Sequence, residues 1–228
     1  MTKRKVVLSW SSGKDSAWAL HVLRNDPSIE VIALLSTISD AYGRVAMHGV
    51  RESLVEKQAA AAGLPLWKVR IPTPCSNDAY EKEMAKAVIH ALDAGANAMA
   101  FGDLFLEDIR NYRLDKLAGT GLDPLFPLWK TPTDTLARTM LAAGLRAVIT
   151  CVDTKQLGAE FSGLEFSDHV LDRLPPGTDP CGENGEFHTF CYAGPRFKNS
   201  IPITVGVHET RDGFCFTDLH GYCSCLNL

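Results

Sequence analysis

Residues 5–16 read KVVLSWSSGKDS. The first half is a short run rich in strand-forming residues that ends on Trp10. A polar, glycine-bearing turn follows, and from Lys14 onward the apolar positions Ala17, Leu20 and Leu23 recur at helical spacing. The segment therefore reads as strand, loop and helix. Such a loop aims backbone N–H groups and the positive end of the helix dipole at one point, an arrangement that binds phosphate. Gly13 permits a tight path, Ser11, Ser12 and Ser16 offer hydroxyls, and Lys14 adds a mobile positive charge. A capped turn with a solvated lysine uses the same residues, so both readings stay open. The segment is not a Walker A loop, which needs glycine where Leu8 stands and Ser or Thr where Asp15 stands. Transfer of a γ-phosphate is thereby disfavoured, and the dinucleotide pattern G-x-G-x-x-G is absent as well.

Outward from this loop, strands and helices alternate. Residues 30–37 form a near-continuous apolar run of strand length, as expected for a parallel strand covered on both faces. A helix over 51–62 stops at Gly63, and 65–71 is the next strand. Tyr80, Met84, Val88 and Leu92 mark a helix over 78–94, and residues 96–101 supply a fourth strand. Helices over 109–118 and 133–143 precede a fifth strand at 146–152. This order predicts an α/β fold, a doubly wound five-stranded parallel sheet whose ligands sit at the strands' carboxyl ends. After about Asp153 the alternation stops, leaving a Gly/Pro-rich stretch with strand candidates at 203–207 and 214–218. Two domains are expected: 1–153 for ATP binding and a smaller α+β lobe, 154–228, for the substrate site.

The 228 residues, 46% hydrophobic and 22% charged, are of ordinary globular composition. No run approaches the roughly 20 apolar residues of a membrane span, and residues 1–6 do not open a signal peptide. A cytoplasmic protein is expected. Seven cysteines, an odd number without a small-scaffold framework, point to free thiols in a reducing compartment. A net charge of -4 offers no field for nucleic acid, although a local basic patch could survive. His220, Cys223 and Cys225, with Cys181, His188 and Cys191, invite a zinc reading. Their Cys-x-Cys spacing departs from the Cys-x₂₋₄-Cys of structural zinc, and a loosely docked tail is the expectation.

Residues 11–16 resemble the SGGKDS loop of the PP-loop ATP-pyrophosphatases, in the adenine nucleotide alpha-hydrolase superfamily, with Ser12 in place of the first glycine. Three further segments, FGDLFLEDIR at 101–110, LDPLFPLW at 122–129 and DPCGENGEFHT at 179–189, resemble the diphthine–ammonia ligase-like branch and its bacterial-type members. The resemblance implies a PP-loop (HUP-type) fold using ATP and Mg²⁺. The loop would hold the β- and γ-phosphates while a substrate carboxylate attacks the α-phosphate, releasing pyrophosphate. Ammonia or an amine would then displace AMP to form an amide. The acid is unnamed: a modified protein residue such as diphthine, or a small molecule. The reading also admits a homodimer. Two alternatives differ in class. A tRNA-modifying PP-loop enzyme would need a cysteine pair, and Cys75 and Cys151 stand alone. A nucleotide sensor of the universal-stress type would need neither Lys14-Asp15 nor residues 182–189.

Within these segments Lys14, Asp15, Asp103, Glu183 and Glu186 are the candidate catalytic residues, and residues 11–16 the candidate ATP contacts. Asp103, at a strand's carboxyl end, suits either Mg²⁺ or a substrate amine, or else a helix cap, and Asp15 is the second candidate for Mg²⁺. Glu183 or Glu186 is expected to bind an amine or Mg²⁺, or to act as general base toward ammonia. Arg110 would neutralise charge during adenylyl transfer, with a solvated helix turn as the alternative. His48 and Arg51 are placed at the substrate entrance, and Asn184, His188 and Thr189 in the substrate site. Residues 122–129 are expected to shape the pocket wall.

Overall fold

A computed structural model describes residues 2–45 and 48–222. Strand β1 (Arg4–Ser9) carries Val6, Val7 and Leu8, all fully buried, as a strand covered on both faces requires. It is followed by α1 (Lys14–Asn25), β2 (Ile29–Ser39), a two-residue β3 (Arg44–Val45) and α2 (Glu52–Ala62). Gly63 ends α2 at φ 65°, the left-handed conformation that lets its N–H return to the last carbonyls. Next come β4 (Leu66–Ile71), α3 (Asn77–Asp93), β5 (Ala98–Ala100), α4 (Glu107–Leu117) and β6 (Asp123–Leu125). The hydrogen-bonded order is β4-β2-β1-β5-β6, all parallel, and β3 pairs antiparallel with the end of β2.

Alternation along β1 splits the core into two layers. Val6 and Leu8 pack with α1, α2 and α5 (Thr133–Ala142), whereas Val7 packs with Ala87 and Ala91 of α3 and Leu117 of α4. Helices on both faces make the sheet doubly wound. All the strand ends that carry the polar motifs point to one edge.

The strand expected at 146–152 forms as β7 (Arg146–Asp153) but is not the fifth parallel strand. It pairs antiparallel with β8 (Phe187–Ala193) and β10 (Phe214–Gly221), and β9 (Ile203–Arg211) completes the order β8-β7-β10-β9. The fifth parallel place belongs to β6, inside the segment read as pocket wall. A buried apolar run states that both faces are covered and not which strand it pairs with, so β7 was assignable to either sheet. A division at 153 would cut the second sheet; the seam in strand pairing lies between β6 and β7. Phe187, His188 and Thr189 lie on β8 and not in a loop. Short α6 (Asp168–Leu171) packs Val170 into the core shared by both sheets. Among the described residues no helix is long and apolar enough to cross a membrane. The expected tail cysteines, 223 and 225, lie outside the described residues.

Candidate active site

The loop after β1 is folded on itself. Ser11 Oγ accepts from the Gly13 N–H (3.3 Å) and lies 3.3 Å from Ser16 Oγ, which donates to the Gly13 carbonyl at 3.0 Å. Ser12 has φ 72° and is fully buried, and its hydroxyl makes no hydrogen bond and does not line the cleft. That hydroxyl is therefore not the ligand contact expected of it. The Ser12 carbonyl is held instead by the Cys191 N–H and by Gln58 Nε2, both at 2.9 Å. Gln58 is itself saturated, accepting from Trp10 Nε1 at 2.8 Å and donating to the Cys191 carbonyl at 2.6 Å. Gly13 is needed for space, since a Cβ there would stand 3.1 Å from His48 Cε1 and 3.3 Å from Thr189.

Lys14 is neither mobile nor solvated. Its N–H, one of the four amides without an intrahelical partner at the start of α1, donates to Thr189 Oγ1 at 3.0 Å. Its buried Nζ donates to Asp15 Oδ2 at 3.0 Å and to the Cys181 carbonyl, and lies 5.5 and 5.3 Å from the ring centres of Phe166 and Phe187. Burial alone would lower its pKa; Asp15 foremost, with further help from the Cys181 and Glu183 side chains, outweighs this and holds it above the ordinary value.

Around this loop opens a cleft of about 550 Å³, lined by Ser11, Lys14, Asp15, Ser16, His48, Asp103, Glu183, His188 and Thr189. Glu183 Oε1 accepts from the Leu104 N–H at 2.7 Å, and burial pushes its carboxyl up to about 7, against that hydrogen bond. His48 and His188 pack at 4.7 Å between ring centres, with His48 Nδ1 donating to the Thr189 carbonyl at 3.1 Å. Burial, then the neighbouring imidazole, lowers His48 to about 3; burial, then Lys14, lowers His188 to about 4. Both rings are neutral at pH 7. Asp103 stands 3.7 Å from Arg113 Nε, and burial raises its pKa. Its Oδ2, like Asp15 Oδ1, is buried without a hydrogen bond. Among the described residues no group of three or more His, Cys, Asp or Glu could hold a metal ion. The two orphaned carboxylate oxygens fit Mg²⁺, which needs only one or two carboxylates beside substrate phosphates.

Four expected site residues are placed elsewhere. Glu186 is buried behind the cleft wall, accepting from the Asp179 N–H (2.8 Å) and from Asn184 Nδ2 (3.0 Å), so both residues brace the loop and neither faces the cleft. Arg51 is engaged by Asp218 at 3.0 and 2.5 Å. Arg110 lies 5.3 and 5.2 Å from the ring centres of Phe126 and Trp129, which makes residues 122–129 a seat for an arginine.

Three residues that do position the site went unread. Asp179 Oδ1 accepts from the Cys181 and Glu183 amides (2.9 and 3.1 Å) while its Oδ2 accepts from Thr133 Oγ1 (2.6 Å), which fixes where Glu183 starts. It opens the 179–189 motif and could have been found there. Gln58 is the one polar member of the buried stripe Leu54, Val55, Gln58, Ala59 and Ala62, a detectable anomaly. Arg113 carries no sequence signal.

The family model described as Diphthamide synthase N-terminal domain matches residues 4–121, and the Diphthamide synthase C-terminal domain matches 132–224. The chain is 28% identical to a diphthine–ammonia ligase of Danio rerio, over 95% of this chain and 96% of that protein. It is 25% identical to the diphthine–ammonia ligase of Homo sapiens, over 92% and 90% respectively. Among solved structures, the U34-tRNA thiolase NcsA from Methanococcus maripaludis shows a slight likeness, with a TM-score of 0.37 and 16% identity over 60% of this chain and 56% of that one. With its two halves matched in order by the two domains of one family, this chain belongs to the diphthamide synthase family.

Proposed function

We propose that this chain is an ATP-dependent, AMP-forming amide ligase acting on a carboxylic acid and ammonia. A carboxylate oxygen bonds to the α-phosphorus of ATP, and the bond from that phosphorus to the pyrophosphate oxygen breaks. The nitrogen lone pair of ammonia then attacks the acyl carbon of the adenylate, the carbon–oxygen bond to AMP breaks, and the nitrogen gives up a proton to Glu183. The observation that carries this reading is that Glu183, a carboxyl raised to about 7, and Lys14 line one cleft. Lys14 and the amides that open α1 would stabilise the charge that develops on the leaving pyrophosphate. Asp15 and Asp103 would hold Mg²⁺, which supplies further neutralisation of that charge when bound. The neutral rings of His48 and His188 line the same cleft without repelling a cation. The unit built on the parallel sheet would bind ATP, and that built on the antiparallel sheet would bring Glu183.

The relatives' name gives diphthine as their acid; for this chain a modified protein residue and a small acid both fit the chemistry. Thiol chemistry is not supported at Cys151, Cys181 or Cys191: burial first of all pushes the Cys151 and Cys191 thiols up to about 12, and Cys181 higher still. Lys14→Ala is expected to lower formation of AMP and pyrophosphate about 100-fold or more with the fold intact by circular dichroism. Product analysis decides the class. Formation of ADP and phosphate by the wild type, or full activity of the variant, would overturn the reading.

A further inference from the structure

The cleft does not end at Asp103. It continues into an apolar groove of about 430 Å³ between α3 and α4, and Tyr80, Met84, Phe101 and Arg113 line both. The floor is Met99 of β5 and Phe101 just after it, and the walls are Val88, Leu92 and Tyr112. Ile89, Leu92 and Tyr112 are left 58%, 37% and 38% exposed, on helices whose outward faces would ordinarily be polar. The volume lies in the range of small-ligand cavities. Charge marks the groove as well. Arg113 and Lys116 line it against the single carboxylate of Glu81, which pairs with Lys116 at 2.6 Å.

At the joint between groove and cleft, Arg113 Nε and Asp103 Oδ2 face each other at 3.7 Å, and neither makes a hydrogen bond. The guanidinium lies 4.9 Å from the Phe101 ring centre and is ion-paired with Asp103, but its buried Nε–H lacks a hydrogen bond, and a donor so placed at the mouth of an apolar groove can serve an anionic ligand atom. This joint also touches the phosphate loop: a Cβ on Gly102 would come within 3.2 Å of the Asp15 and Ser16 backbone.

We propose that the groove holds the apolar body of the acid substrate and that Arg113 receives its carboxylate, so the enzyme selects monocarboxylic acids with a bulky aliphatic or aromatic body over small polar acids. This rests on the cleft being the adenylylation site. Arg113 directs the carboxylate to the side of the cleft where Asp15, Ser16 and Asp103 converge, and the apolar walls bind the part of the acid that does not react.

Titration calorimetry on the full chain with acetate, octanoate, octanamide and 4-phenylbutyrate tests the assignment. Octanoate and 4-phenylbutyrate are expected to bind at least about 10-fold more tightly than acetate, since each buried methylene adds affinity. Ala85→Trp fills the groove from an exposed position on α3, and is expected to weaken both about 10-fold while ATP affinity is unchanged. Arg113→Gln is expected to remove the preference for octanoate over octanamide. Equal binding of the three acids, binding of none, or an unaltered octanoate affinity in Ala85→Trp would overturn the groove. Should Ala85→Trp lose ATP affinity, the octanoate and octanamide pair in Arg113→Gln decides. If the acids bind as expected but wild-type product is ADP, the reading of the phosphate loop fails and the groove stands.

Discussion

Ser12 carries two costs at one position: a left-handed φ of 72° on a residue with a Cβ, and a buried hydroxyl without a partner. The first is worth about 1–2 kcal/mol and the second about 1–3. Ser12→Gly removes both and adds back about 0.5–1 kcal/mol of unfolded-state freedom. The variant is expected to be more stable, with a melting temperature higher by at least about 2–4 °C; a lower one would show that the hydroxyl has a partner that outweighs the strain. Glu183 presents the opposite case, a group whose environment serves chemistry. Burial raises its pKa from the ordinary 4.5 to about 7. A general base must be deprotonated, so the base form gains as pH rises through about 7, and amide formation should rise along a one-proton limb there. Glu183→Gln is expected to abolish that limb and to slow transfer to ammonia about 10²–10⁴-fold, while adenylate formation from acid and ATP is less affected. A pH–rate profile of amide formation at saturating acid decides it, and a limb that survives in the variant would assign the base elsewhere.

At the scale of elements, what could be read and what could not separate by sequence distance. The strand-loop-helix at 5–25 is legible because its signals are local: an apolar run, a polar turn with Gly13, and apolar positions at helical spacing. Helices α2 and α3 are legible for the same reason, α2 down to Gly63; α3 begins one residue before the expected 78, behind a Ser76 cap whose hydroxyl accepts from the Ala79 N–H at 3.2 Å. Strand β7 is legible as a strand and misleading as to sheet, because its partners begin at residues 187 and 214 and nothing near 146–153 names them. Strand β8 is hidden more thoroughly. Its residues His188 and Thr189 are polar because they face the phosphate loop, and that polarity reads as a turn. Arg51 shows the same limit for a side chain. With Arg44, which reaches Asp218 Oδ1 at 2.8 Å, it holds that carboxyl at about 2 despite partial burial, and so pins the segment bearing His48 to β10. An ion pair across 167 positions leaves no trace in either local pattern.

At the scale of the whole molecule, the antiparallel sheet is built into the phosphate loop and is no appendage to it. Strand β8 holds the Ser12 carbonyl through Cys191, the Lys14 N–H through Thr189 and the His48 ring through the Thr189 carbonyl. This junction also contains the two imidazoles that the fold keeps neutral, so it should respond to acid. The histidines have folded pKa values of about 3 and 4 against an ordinary 6.5, and between pH 6.5 and 4.5 the unfolded chain therefore binds protons there that the folded chain does not. Stability from both is present above about 6.5 and is lost as pH falls. Glu183 and Asp103, raised by burial, act with the opposite sign in the same direction of titration, which is why the total slope is a poor test and a difference is a good one. His188→Gln removes one of the two histidine contributions and leaves in place the hydrogen bonds by which β8 holds Ser12, Lys14 and His48. Its stability should fall less steeply than that of the wild type between pH 6.5 and 4.5, by up to about 1.4 kcal/mol per pH unit. Denaturant midpoints at the two pH values measure this for both proteins, and parallel slopes would mean that His188 is protonated in the folded chain as readily as in the unfolded one.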